Sequence, residues 1–176
     1  MSELTSLAIS VALLGGVCTW FTLSVGVLLI WAAFAAWACF FHSGGDGLAL
    51  RTTVVSNCFG VLTAWLTALV IVTVPGATLL GEPLWPSLVV CVSIACYISA
   101  ARVGWFSSIP AVTYGYACTF AFLLQTPGKF SSENLTSLSF SNALIIVPSS
   151  MVVGAMFAFA SARFAARLQR RPAMAS

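Results

Sequence analysis

Charges are so sparse along this chain that its apolar pattern is read from the gaps between them. No charged residue falls between positions 4 and 41, a block of 38 residues, and further apolar blocks cover roughly 52–74, 84–101, 106–124 and 141–163. As one helix rising 1.5 Å per residue, the first block would be nearly twice the ~30 Å thickness of a bilayer's hydrocarbon layer. It therefore holds two spans, 4–21 and 24–41, with a turn expected near Trp20 to Gly26. Pro75-Gly76, Pro83 and Pro86 punctuate the third connection, and Thr126-Pro-Gly128 opens the fifth. The pattern predicts an all-α integral membrane protein of six transmembrane helices, a single helical domain over 1–171 and a disordered tail over 172–176.

Composition strengthens that reading. Of the 176 residues, 60% are hydrophobic and 6% charged, and mean hydropathy is +1.05. Soluble domains carry about 25% charged residues, because a globule needs a hydrated surface. The net charge of +3 does not point to nucleic acid. Residues Met1 to Thr5 contain Glu3 and no Lys or Arg, unlike the basic start of a cleaved signal peptide, so the first span is expected to be retained.

Charge placement then sets orientation. Six spans with a cytoplasmic N-terminus put Arg51, Arg102, Arg163, Arg167, Arg170 and Arg171 inside and only Lys129 outside, beside Glu82 and Glu133. That asymmetry is the one the positive-inside bias requires, and both termini are then cytoplasmic. Arg163, Arg167 and Arg171 recur every four residues on one helix face running toward Pro172. With Arg170 they form an expected contact with anionic lipid.

An internal echo runs through the chain. Trp20-Phe21 recurs as Trp105-Phe106 and Ser56-Asn57 as Ser141-Asn142, while Trp37-Ala-Cys39 resembles Tyr116-Ala-Cys118. Two halves of three spans each would be related by an inverted 3+3 repeat, since an odd number of crossings turns the second half over. Inverted halves meet near the bilayer midplane, where many carriers and channels hold their solute.

The residue types inside the spans limit the chemistry. Glu3, Asp46, Glu82 and Glu133 all fall in termini or loops, so no buried carboxylate is available for proton coupling. Uncharged polar residues remain, and hydroxyls and amides can replace part of a small solute's hydration shell. The solute-path candidates are Asn57, Asn142, Thr19, Tyr116, Thr119 and Pro148, the last expected to kink or break the sixth span. Taken singly, a serine or threonine in a span is more often bonded to the preceding turn or a neighbouring helix. His42, the chain's one histidine, and Asp46 close the second span in a His-Ser-Gly-Gly-Asp loop. That loop reads first as a hairpin at the water boundary and second as a gating or pH-sensing site.

Catalysis finds no support. There is no usable Ser/His/Asp arrangement, no carboxylate pair and no phosphate-binding glycine loop, so the chain is not expected to be an enzyme. The six cysteines, Cys18, Cys39, Cys58, Cys91, Cys96 and Cys118, lie in apolar runs without a C-x-x-C pair, and no metal site or cofactor is expected.

The segments Gly15 to Trp20, Trp31 to Phe34, Phe40 to Gly45 and Ile109 to Ala121 together resemble the YcdZ-like family of small bacterial inner-membrane proteins, a domain-of-unknown-function group. The resemblance covers about positions 4–162. It implies a multi-pass protein of the bacterial inner (cytoplasmic) membrane and brings no established activity or functional residue. From the residues themselves, the expected function is a passive channel or facilitator for a small uncharged or weakly polar solute. The alternative is a non-transporting accessory or assembly subunit acting through its helix faces, and in either case a homo-oligomer is open to it.

Overall fold

The computed structural model describes residues 1–169, so Arg170, Arg171 and the expected tail at 172–176 lie outside the described residues. Eight α-helices occur among the described residues: α1 (Glu3–Val25), α2 (Ile30–His42), α3 (Gly47–Thr73), α4 (Ala77–Leu80), α5 (Leu84–Ala100), α6 (Ile109–Gln125), α7 (Ser132–Thr136) and α8 (Ala143–Gln169). A 3-10 turn at Gly104–Phe106 links α5 to α6.

Helix ends follow local chemistry. The Ser2 hydroxyl accepts the Thr5 N–H and opens α1, and the Asp46 carboxylate accepts the Ala49 N–H at 2.7 Å and opens α3. At the far end of α1, Gly26 takes a left-handed φ of 72°, which a side chain would resist, and returns its N–H to the Thr22 carbonyl. The first turn therefore falls after Gly26, and Trp20-Phe21 lie within α1 rather than in a connection. Pro110 sits in the first turn of α6, where its missing N–H leaves no bond unmade. Pro148 lies in the second turn of α8, and the helix runs on unbroken to Gln169.

Three helices, α1, α3 and α8, are long and apolar enough to cross a membrane, and α2 and α5 are shorter apolar helices. The 13 residues of α2 rise about 20 Å, short of the ~30 Å hydrocarbon layer. Leu13, Trp20, Leu23, Leu66, Val92 and Met156 all stand exposed on the outside of the bundle. Water would oppose so apolar a surface. The chain is a multi-pass helical membrane protein.

At the centre are α3 and α8, which touch each other. Helix α6 packs chiefly on α3, as α2 does on α8; α5 lies against α3, as α1 does against α8. The first-to-last contact is fixed by the Ser10 hydroxyl, which donates to the Ser161 carbonyl at 2.6 Å. Small residues make the closest approaches. A Cβ on Gly60 would strike the Val112 carbonyl oxygen, one on Gly115 the Asn57 carbonyl oxygen, and one on Gly154 the backbone of Ala33. Glycine is what lets these backbones touch.

Burial patterns correspond between the paired helices. The buried residues of α2 are Ala32, Ala33, Ala36, Trp37, Cys39 and Phe40; 79 residues on, Ala111, Val112, Gly115, Tyr116, Cys118 and Thr119 are all buried in α6. In α3, Ala49, Thr53, Ser56, Asn57, Gly60, Val61, Ala64 and Thr67 are buried; 94 residues on, so are Ala143, Val147, Ser150, Met151, Gly154, Ala155, Ala158 and Ser161 in α8. Helix α5 departs from this parity, since Tyr97 is its one buried residue against five in α1.

Candidate functional site

Most hydroxyls in the helices are satisfied within their own turn. Thr19 donates to the Gly15 carbonyl at 2.8 Å and Thr119 to the Gly115 carbonyl at 2.9 Å. After Pro148, Ser149 and Ser150 donate to the carbonyls of Ile145 and Ile146, both at 2.7 Å. Such back-bonding is the usual fate of Ser and Thr in a membrane helix.

One corner differs. Among the described residues, the buried side-chain polar atoms with no hydrogen-bond partner are Trp37 Nε1, Ser43 Oγ, Thr53 Oγ1, Ser56 Oγ and Asn57 Nδ2. All belong to the α2–α3 hairpin or its connecting loop. Asn57 is 1% exposed, and its Oδ1 receives only a weak bond from the Cys39 thiol at 3.6 Å. Cys39 and Ser43 are one turn apart along α2 and its cap, as Thr53 and Asn57 are along α3, so the two pairs face across the hairpin. The hydroxyls of Ser43 and Thr53 lie beside the same thiol. Trp37 is turned the other way, stacked between Phe34 at 5.7 Å and Phe157 of α8 at 6.5 Å.

An unmade hydrogen bond at a buried group costs about 1–3 kcal/mol, and more in hydrocarbon. Ser43 and Thr53 can offset part of that cost against the Cys39 thiol, which leaves Trp37 Nε1, Ser56 Oγ and Asn57 Nδ2 as the least satisfied atoms of the hairpin. The corner offers amide and hydroxyl donors with no charge among them. Beside them lies the Cys39 thiol, the donor to Asn57 Oδ1.

The expected site residues disperse over the fold. Asn57 anchors the corner, and Thr119 lies nearby on the α3–α6 contact, where Gly115 meets the Asn57 backbone. Tyr116 shares that helix but turns toward α5: its hydroxyl pairs with Ser93 at 2.7 Å and its ring lies 5.3 Å from that of Tyr97. Asn142 is satisfied as the cap of α8, donating to the Ser137 carbonyl and accepting the Leu144 N–H, each at 2.9 Å. It precedes its helix, whereas Asn57 lies in the interior of α3, so the two Ser-Asn pairs do not occupy equivalent places. Thr19 is on α1, and Pro148 is on α8, two residues before the Ser150 that accepts the Leu29 N–H at the start of α2. His42 is exposed at the end of α2, and Asp46 serves as a cap. Thr53 and Ser56 were legible as candidates only through their spacing with Asn57 and Gly60, a polar stripe at helical period on one face of α3.

At the C-terminal end, α8 carries Arg163 and Arg167 as exposed residues, and the Arg163 guanidinium lies 4.8 Å from the centre of the Phe159 ring. These two basic residues of the expected lipid-contact face are on one continuous helix.

A family model described as a protein of unknown function, DUF1097, matches residues 8–166. The chain belongs to the DUF1097 family. The match reaches from α1 to α8 and spans the α2–α3 hairpin. No curated protein and no solved structure matches this DUF1097 chain.

Proposed function

We propose that this protein is a passive channel or facilitator for a small uncharged or weakly polar solute. The observation that carries the reading is the group of unpartnered polar atoms in the α2–α3 hairpin, centred on Asn57. Six spans, α1, α2, α3, α5, α6 and α8, form two inverted halves, with both termini cytoplasmic. The matched burial of α2 with α6 and of α3 with α8 supports that arrangement, as does the matched set of helix pairings. The polar corner then runs inward from Ser43 in the α2–α3 loop to Asn57, whose backbone meets Gly115 of α6 in the second half, and inverted repeats place solute between their halves. Membrane identity follows the YcdZ-like resemblance and is the bacterial inner membrane. Anionic lipid binds the face of Arg163, Arg167, Arg170 and Arg171, and the reading assigns the chain no catalytic step and no cofactor.

Solute flux into reconstituted vesicles tests this. Wild-type protein raises permeability to a member of a panel of small neutral solutes, Asn57→Leu abolishes the increase, and Asn142→Leu preserves it. Permeability equal to that of empty vesicles across the whole panel sinks the proposal. A non-transporting assembly subunit is the second reading, favoured by the backbone-to-backbone contacts at Gly60, Gly115 and Gly154.

A further inference from the structure

The start of α3 and the 3-10 turn enclose a feature separate from the polar corner and independent of any transport. Leu48, Arg51, Thr52 and Val55 project from the first turns of α3, and Gly104 and Trp105 face them across a cavity of about 230 Å³. The carbon at the centre of the Arg51 guanidinium lies 4.0 Å from the centre of the Trp105 ring. A guanidinium stacked on an aromatic face keeps its in-plane N–H donors available to an anion. The N-terminal end of α3 adds a positive partial charge. The nearest acid in sequence, Asp46, is engaged with the Ala49 N–H at 2.7 Å.

The rest of the wall is greasy. Leu48 is 69% exposed and Trp105 59% exposed. A soluble anion would gain nothing from such a rim, whereas an amphiphile would use both parts. The membrane-water boundary is where a helix end, a tryptophan and an arginine are found together.

We infer that this cavity binds the head group of an anionic phospholipid. The phosphate lies on the Arg51 guanidinium and the Thr52 hydroxyl, an acyl chain runs inward along Val55, and Leu48 and Trp105 form the apolar rim. The site is distinct from the basic face of α8 and is formed by α3 with the α5–α6 connection.

Native mass spectrometry of the full-length protein in detergent, titrated with phosphatidylglycerol or with phosphatidylcholine of the same chain length, tests the assignment. The wild type holds a first phosphatidylglycerol in preference to phosphatidylcholine. Arg51→Gln weakens that first binding about fivefold, the scale set by one basic residue at a membrane surface. Gly104 lines the cavity, so Gly104→Leu adds bulk to its wall without removing charge; it weakens the same binding without unfolding the chain, because a Cβ at Gly104 meets no atom within 4 Å. Arg167→Gln leaves it unchanged. Equal affinity for the two lipids, wild-type affinity in both site variants, or displacement of the lipid by millimolar inorganic phosphate would overturn the assignment.

Discussion

Adding one methyl group at Gly154 or Gly60 provides the sharpest test of the packing. A Cβ at Gly154 would meet the Ala33 carbonyl oxygen and Cα, and one at Gly60 the Val112 carbonyl oxygen and Tyr116 nitrogen. These are backbone atoms, so no side chain can swing aside and the helices must part. Overpacking costs about 1–3 kcal/mol, and a gap of about 1 Å forfeits up to half of the dispersion energy along the opened seam. Against this stands about 0.5–1 kcal/mol gained by replacing glycine with alanine in a helix. The net expectation is a loss of about 2 kcal/mol, close to 30-fold in the folding equilibrium. Gly16 lies in α1 with nothing within 4 Å of its would-be Cβ, so Gly16→Ala keeps or slightly raises stability. The assay is unfolding in mixed micelles with rising SDS fraction, followed by circular dichroism. If Gly60→Ala and Gly154→Ala unfold at the wild-type SDS fraction, the backbone contacts are not what holds α3 to α6 and α8 to α2.

Further expectations follow from single bonds. Asp46→Ala removes the α3 cap and lowers stability by about 1 kcal/mol, read in the same SDS titration, while Asp46→Asn retains most of it. Trp65 Nε1 donates to the Leu135 carbonyl at 2.9 Å; Trp65→Phe frees α7 and speeds amide exchange at positions 132–136 with little change elsewhere. Tyr116→Phe loses the pairing with Ser93 and costs about 0.6 kcal/mol, the average of interhelical bonds in membranes; a loss above 2 kcal/mol would mean that the Tyr116 hydroxyl does more than tie α6 to α5.

The apolar blocks were legible because hydrocarbon tolerates so few charges, and each of the expected 52–74, 84–101, 106–124 and 141–163 blocks overlaps one helix, α3, α5, α6 or α8. Their edges were less so. Leucines and valines continue through the first turn, and only the left-handed φ of Gly26 shows where α1 stops. The four-residue α4 and five-residue α7 have no periodic signal, being too short to show a face. The Trp37-Ala-Cys39 and Tyr116-Ala-Cys118 echo agrees with the burial of α2 and α6, whereas the Ser-Asn echo paired a helix interior with a cap. Site residues were harder still. Whether a buried hydroxyl bonds to its own helix, as that of Thr119 does, or goes without a partner, as that of Ser56 does, depends on packing between distant elements.

The attachment of α1 and α2 to α8 bears on how the protein is made. Ser10 reaches Ser161, and the Leu29 N–H reaches the Ser150 hydroxyl at 2.9 Å, so the earliest helices are completed by the latest. At about 5–20 residues per second, the roughly 100 residues between α2 and the middle of α8 take several seconds to emerge. Through that interval Ala33, whose backbone meets Gly154 in the folded chain, faces lipid or the insertion machinery instead of α8. The packing of α1 and α2 is therefore completed only once α8, made well after them, has been inserted.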